Sequence, residues 1–362
     1  MTRLERAAVP RVSLVNRFIR DHFVHLISLL ALLAFLTPGV SRAVRGVHFL
    51  GGQEDASGLA LFLMMLSAAI QCSLGSFRDV LFRPRPLVVC AALFFVVLPL
   101  SGWLLGQLCV PLLGRELGES IQIGLDLVIL MPVAATATLW VRDTRGDVGL
   151  LVSLIVITMA LGTLLAPVYL HYMSGLSANS IVIPQMVMWR RLCSGVLAPL
   201  VTGVALNRIL RARLAHVQPY FALAGNAGLF MAVYLNVGTA SPVIQKLPLQ
   251  KVAVAVLLVL AVNFLNFAAG SLMGRFAGLG RDQQVTCEFS SGMRSNGTAL
   301  VVGLASFPGT PLVTVPAAIY IIGQHLIAGV VKSRLLSRLG DGARASPVPA
   351  VAPATLARVA EG

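Results

Sequence analysis

Ten apolar runs alternate with short polar or basic stretches along the chain, at about 23–40, 58–77, 86–106, 121–141, 147–171, 187–209, 217–239, 249–274, 283–306 and 311–334. Each run is near the roughly 20 residues that an α-helix needs to cross the hydrocarbon core of a bilayer. The pattern predicts an all-α polytopic membrane protein of ten transmembrane helices. The first run follows a basic cytoplasmic segment, residues 1–22, that carries Arg3, Arg6, Arg11, Arg17 and Arg20. With no A-x-A cleavage site and further spans behind it, that run reads as an uncleaved first helix rather than a signal peptide. The transmembrane domain then covers 23–336, in halves of about 23–171 and 187–336, and 337–362, rich in Ala, Pro and Val without periodicity, reads as a disordered cytoplasmic tail.

Composition agrees: 57% of the residues are hydrophobic and 12% charged, and the mean hydropathy is +0.86. That balance leaves no room for a large water-soluble domain. The formal net charge of +14 changes the picture only through its distribution. The basic residues fall in short clusters between apolar runs, not in one patch with interleaved aromatics, so nucleic acid is not a partner and membrane lipid is. Alternate loops hold 20 and 7 Lys and Arg, with Arg294 inside a span. Under the positive-inside rule this places both termini in the cytoplasm, and the reading is a protein of the bacterial inner membrane. The pair Arg190-Arg191 is the exception. Five cysteines form no CxxC or Cys/His cluster, so neither a metal site nor a disulfide framework is expected.

The fourth and ninth spans are interrupted. The fourth contains Asp126 and then Met131-Pro132-Val133; Pro132 has no N–H to donate and disfavours helix at Met131. The ninth reads from Cys287 through Glu288, Ser290, Ser291, Gly292, Met293, Arg294, Ser295 and Asn296 to Gly297. Breaks at Pro132, Gly292 and Gly297, at matching places in two sets of five helices, point to an inverted-repeat transporter with broken helices crossing at its centre. The half-helix N-termini near Thr136 and Asn296 expose N–H groups that suit an anion.

An ionisable group at the bilayer centre costs about 2.5–3.5 kcal/mol on the most lenient scale, so Asp126, Glu288 and Arg294 are candidates for coupling or ion pairing, with either carboxylate able to pair Arg294 or relay a proton. A permanent guanidinium binds carboxylates or sulfonates bidentately. The substrate-binding candidates are therefore Arg294 with the neutral polar groups Thr136, Thr138, Ser290, Ser291, Ser295 and Asn296. Each of the latter has a competing reading, because small polar residues also pack membrane helices together.

In these residues the chain resembles the bile-acid:sodium symporter family. The resemblance runs over about 23–336 and rests on Leu81-Phe82-Arg83-Pro84-Arg85-Pro86, Leu98-Pro99, Met131-Pro132, Leu164-Leu165-Ala166-Pro167, Leu197-Ala198-Pro199-Leu200, Ser291-Gly292-Met293 and Pro316-Ala317-Ala318-Ile319-Tyr320 leading to His325. It implies ten helices in two inverted repeats, a core domain moving against a panel domain, and sodium-driven uptake of a small organic anion. The family's sodium ligands are mostly absent, however. Its glutamine five residues before the proline of the third span falls on Phe94. The glutamate and glutamine of its E-x-G-M-Q-N pattern fall on Ser290 and Arg294, and its Ser-Asn after the fourth-span proline on Ala137 and Thr138. Its two hydroxyls in the fifth helix fall on Ile155 and Met159, or on Leu151 and Ile155. The expectation is a secondary active carrier, not an enzyme and without a resident cofactor, in which Arg294 replaces a bound sodium.

Four other readings stand beside it. A sodium-coupled carrier could use Glu288 as the family glutamate after a two-residue insertion, or the fold could export its anion. An arsenite or auxin-type exporter on a related ten-helix fold is another; the lack of a cysteine around Pro132 argues against a thiol-dependent arsenite site. An intramembrane Ser–His protease built on Ser291 and His325 lacks a GxSG motif.

Overall fold

The computed structural model describes residues 11–49, 54–71, 84–210 and 214–337. Most of the expected tail, residues 1–10 and the Leu81-Phe82-Arg83 motif lie outside them. The described residues are almost wholly helical; one antiparallel pair, His48–Phe49 with Glu54–Asp55, is the exception.

The helices are α1 (Arg11–Asp21), α2 (Phe23–Leu36), α3 (Pro38–Arg45), α4 (Ala56–Ala69), α5 (Pro84–Leu113), α6 (Arg115–Leu130), α7 (Ala137–Asp143), α8 (Val148–Leu176), α9 (Gln185–Ile209), α10 (Leu214–Ile244), α11 (Leu249–Phe276), α12 (Arg281–Gly292), α13 (Asn296–Ser306) and α14 (Pro311–Ser337). Six of them, α5, α8, α9, α10, α11 and α14, are long and apolar enough to cross a membrane, and α1 with α2, bent by 80°, makes a seventh if taken as one span. This is an integral, multi-pass membrane protein. Two boundaries differ from the sequence expectation. The basic segment before residue 23 is helical over Arg11–Asp21, and the first apolar run stops at Leu36 because Pro38 starts a new helix.

The long helices wrap the interrupted ones. Every residue from Leu117 to Leu130 in α6 is buried, as are Val285 to Gly292 in α12 and Asn296 to Leu304 in α13. Enclosure explains how these segments hold polar residues that a lipid-facing helix would exclude. The reversal from α5 into α6 takes a single residue, Gly114, at φ 86°, a conformation that favours glycine.

Two of the long helices carry a π-turn two residues ahead of a proline, Leu93–Val97 before Pro99 in α5 and Cys193–Leu197 before Pro199 in α9. The missing N–H of Pro99 frees the carbonyl of Phe95. That carbonyl accepts instead from the Tyr169 hydroxyl at 2.8 Å.

Candidate functional site

The two breaks meet. Met131, at φ −71° and ψ 151°, leaves the helical region after α6, and Met293, at φ −104° and ψ 110°, does so after α12. The extended residues that follow pair antiparallel, Val133 with Arg294. The N–H of Ala134 donates to the carbonyl of Met293 at 3.0 Å, and the N–H of Ser295 to the carbonyl of Pro132 at 2.9 Å. The N–H of Val133 finds the Thr158 hydroxyl at 3.1 Å. Side chains from α14 and α11 complete the set. The Gln324 amide oxygen accepts from the Arg294 N–H at 2.9 Å and the Asn296 amide at 3.0 Å. The Tyr320 hydroxyl donates to the Gly292 carbonyl and accepts from the Asn266 amide, both at 3.0 Å. Backbone freed at membrane depth is thus satisfied by protein.

Of the predicted helix breakers, Pro132 lies in the first break and Gly292 ends α12, but Gly297 does not break anything. It sits in the first turn of α13, where a Cβ would come within 2.5 Å of the Met64 sulfur. Close packing, not chain reversal, calls for glycine there.

Arg294 is fully buried, and among the described residues its Nε, Nη1 and Nη2 have no hydrogen-bond partner. Its Cζ lies 4.2 Å from the centre of the Phe94 ring, a cation–π contact. Neither expected carboxylate pairs with it. Glu288 is held by Arg334 of α14; six residues and a helix break separate it from Arg294. Asp126 is buried, with both carboxyl oxygens unpartnered among the described residues.

Ser290 and Ser291 line a small internal hollow with Cys90, Leu93, Phe94, Leu98, Val133 and Leu154. Their hydroxyls are anchored on the preceding turn, Ser290 to the Cys287 carbonyl at 3.2 Å and Ser291 to that of Glu288 at 2.9 Å. Ser295 and Thr298 share a hydrogen bond of 2.8 Å, and the Asn296 side-chain oxygen has no partner among the described residues. Thr136 and Thr138 are half-buried at the start of α7, away from the wall of this hollow, and Thr138 donates to the Ala135 carbonyl at 2.8 Å. Ser290, Ser291 and, through Phe94, Arg294 are therefore brought together, and the two threonines are not.

A Ser–His dyad is not formed: Ser291 is engaged as above, and Nδ1 of His325 lies 2.7 Å from the Ile321 carbonyl with its ring against Phe23. Among the described residues no group of three or more His, Cys, Asp or Glu could hold a metal ion. Phe94, Gln324, Tyr320 and Thr158 organise this centre without having been singled out as site residues. For Gln324 the signal was present, a polar side chain in an apolar run.

Comparison with known proteins gives three likenesses. The sequence pattern of the Sodium Bile acid symporter family matches residues 58–247. The uncharacterized protein YbaS of Bacillus subtilis (strain 168) is 25% identical over 300 residues, which cover 82% of this chain and 94% of that protein. The probable sodium/metabolite cotransporter BASS1, chloroplastic, of Oryza sativa subsp. japonica is 23% identical over 289 residues, 79% of this chain and 68% of the relative.

Proposed function

The chain belongs to the Sodium Bile acid symporter family, and on that premise we propose that it is a secondary active carrier of a small organic anion whose translocation does not use sodium at the family's usual place. In this reading ten helices form two inverted repeats of five, the paired breaks mark their crossing point, and one bundle rocks against the other around it.

The observation that carries the reading is Arg294 and its surroundings. Three departures from the family pattern, Phe94, Ser290 and Arg294, gather around one hollow: Phe94 and Ser290 line it, and Arg294 stacks on Phe94. Sodium needs oxygen ligands. A phenyl ring and a buried guanidinium supply none, Ser290 offers a single hydroxyl oxygen in place of a carboxylate, and the guanidinium repels a second cation. An unpaired buried charge is costly, whereas a carboxylate or sulfonate arriving beside it would gain a bidentate partner. Arg294 then does permanently what a bound sodium does transiently: it offers positive charge to the anion.

The test is uptake of a panel of radiolabelled organic anions into proteoliposomes under an imposed sodium gradient, a proton gradient or none. Wild type is expected to transport without sodium, and the double variant Ser290→Glu/Arg294→Gln to become sodium-stimulated. Sodium-dependent uptake by wild type sinks the proposal and makes Glu288 the leading ligand. Net efflux from preloaded vesicles, without uptake, would identify an exporter.

A further inference from the structure

One buried ionisable group takes no part in the paired breaks. Asp126 in α6 is 2% exposed, and neither of its carboxyl oxygens has a hydrogen-bond partner among the described residues. One turn to either side of it, Gln122 packs on Gly106 of α5 and Ile129 on Gly102, and Gln122 also donates to the Ser177 hydroxyl beyond the end of α8, at 2.8 Å. Residues three and four apart share a helix face, so Asp126 lies in the seam where α6 meets α5 and α8. The helices packed on α6 bring it no counter-ion. From α5 comes the buried thiol of Cys109, while Arg85 is at the far end on the Ala277 carbonyl. In α8, the Tyr169 hydroxyl is spent on the Phe95 carbonyl, and His171 and Tyr172 are exposed. Helix α13 has no ionisable residue, and α14 meets α6 near its start, Pro316 against Gly124, with His325, Lys332 and Arg334 further along and the Tyr320 hydroxyl on Gly292. On α6 itself Glu119, two turns away, is held by Arg115 at 3.0 Å.

Polar residues in membrane helices often serve as hydrogen-bonded glue, but Asp126 bonds to nothing. A carboxylate ion buried with neither donor nor counter-ion is too costly to persist, and such a group is carried as the neutral acid. A route for the proton lies beside it. The Ser177 hydroxyl is met by the amide of Gln107 at 2.9 Å and by that of Gln122 at 2.8 Å. Gln107 is half-buried near the turn at Gly114, the end that the loop charges place outside; Gln122 is buried, and Asp126 is one turn deeper. We propose that Asp126 is a proton-binding site, loaded from the outside along Gln107, Ser177 and Gln122, which holds the proton that drives the carrier.

The driving role rests on the transport reading and deepens it. A guanidinium that stays in the protein offers charge to an anion but cannot drive it uphill, because work is drawn only from an ion that crosses with the substrate. The step moves one proton and no electrons: hydronium at the outer face gives its proton to a carboxylate oxygen of Asp126 and becomes water, and on the inner side the carboxyl returns the proton to water. One positive charge thus crosses with the anion. In the arrangement seen here the seam is closed around the neutral acid, whereas the ionised form needs water or a donor and hence an open seam. Protonation therefore favours the closed arrangement, and a coupling ion acts through such a difference in affinity between two arrangements.

The test begins with the proton, not the anion. Infrared spectra of the purified full-length protein in detergent at neutral pH are expected to show the C=O stretch of a protonated carboxyl. The band should move when the protein is made with aspartate carrying carbon-13 in its side-chain carboxyl, and it should be lost in Asp126→Asn. Asp126 is the one buried aspartate among the described residues, so the isotope shift assigns the band even if the variant fails to fold. Absence of the band, or its survival in Asp126→Asn, overturns the proposal. In deuterium oxide the band should shift as the proton exchanges, several-fold more slowly in Gln122→Leu; equal rates overturn the polar route. In proteoliposomes given the radiolabelled anion panel, acid outside is expected to stimulate uptake by wild type several-fold and not by Asp126→Asn. Acid stimulation that survives the substitution overturns the driving role. Sodium-driven uptake sinks the sodium-free reading while the infrared band still reports the proton site, so the two failures are told apart.

Discussion

Arg294 keeps its charge at any pH a cell presents, yet among the described residues no acceptor reaches its three side-chain nitrogens, and the Phe94 ring faces it. Burying an ion without a partner opposes folding. Replacement by an apolar side chain of similar length should therefore relieve the molecule while removing the anion's partner. Arg294→Met is expected to raise the thermal midpoint in detergent and to abolish anion uptake; a lower midpoint would mean that the guanidinium is a structural element. Phe94→Leu keeps the bulk and removes the π face, with an expected loss of about 1–2 kcal/mol that vanishes in the Arg294→Met background. Arg294 was legible as a charge inside an apolar run. Its stacking on Phe94 was not, because a contact between residues 200 positions apart leaves no local trace in the chain.

At the scale of elements, the interruption of the fourth span was written in Pro132, which cannot donate and which forces Met131 out of the helical region. The ninth span has no proline, and its break is sustained by what surrounds it: the backbone of the other break, the Tyr320 hydroxyl and the Gln324 amide. Removing the last should expose the dependence. Gln324→Leu leaves the buried N–H of Arg294 and the amide of Asn296 without their shared acceptor, an expected cost of about 1–3 kcal/mol in thermal or denaturant unfolding. Gln324→Glu keeps an acceptor and should cost less. Equal losses in the two variants would mean that the side chain acts by volume alone. The ion pair went the other way from expectation, with Glu288 taken by Arg334, because which face of α12 meets α14 is settled by packing and not by spacing along the chain.

At the scale of the whole molecule, apolar length identified six helices long and apolar enough to cross a membrane, since a helix satisfies most of its backbone internally. The basic residues argue for orientation, 20 against 7 on alternate loops. Reporter fusions check this directly. A fluorescent protein joined after residue 337 should glow in the cytoplasm, and alkaline phosphatase fused at Lys246, in the loop between α10 and α11, should be active outside; the reverse pair of results would invert the topology. The enclosed helices are a different matter. Their polar residues made them look like functional segments, and the fold accounts for part of that polarity by wrapping them in protein.

Hydrophobicity acts over a few turns of helix, so the chain by itself determined that it enters a membrane, about where its helices run and where two of them fail. Which polar groups meet at those failures is a property of long-range packing. Only the tertiary structure brought Val133 to Arg294, Phe94 beneath the guanidinium and Arg334 to Glu288, because each pair is joined by the way helices stack and not by anything nearby in the sequence.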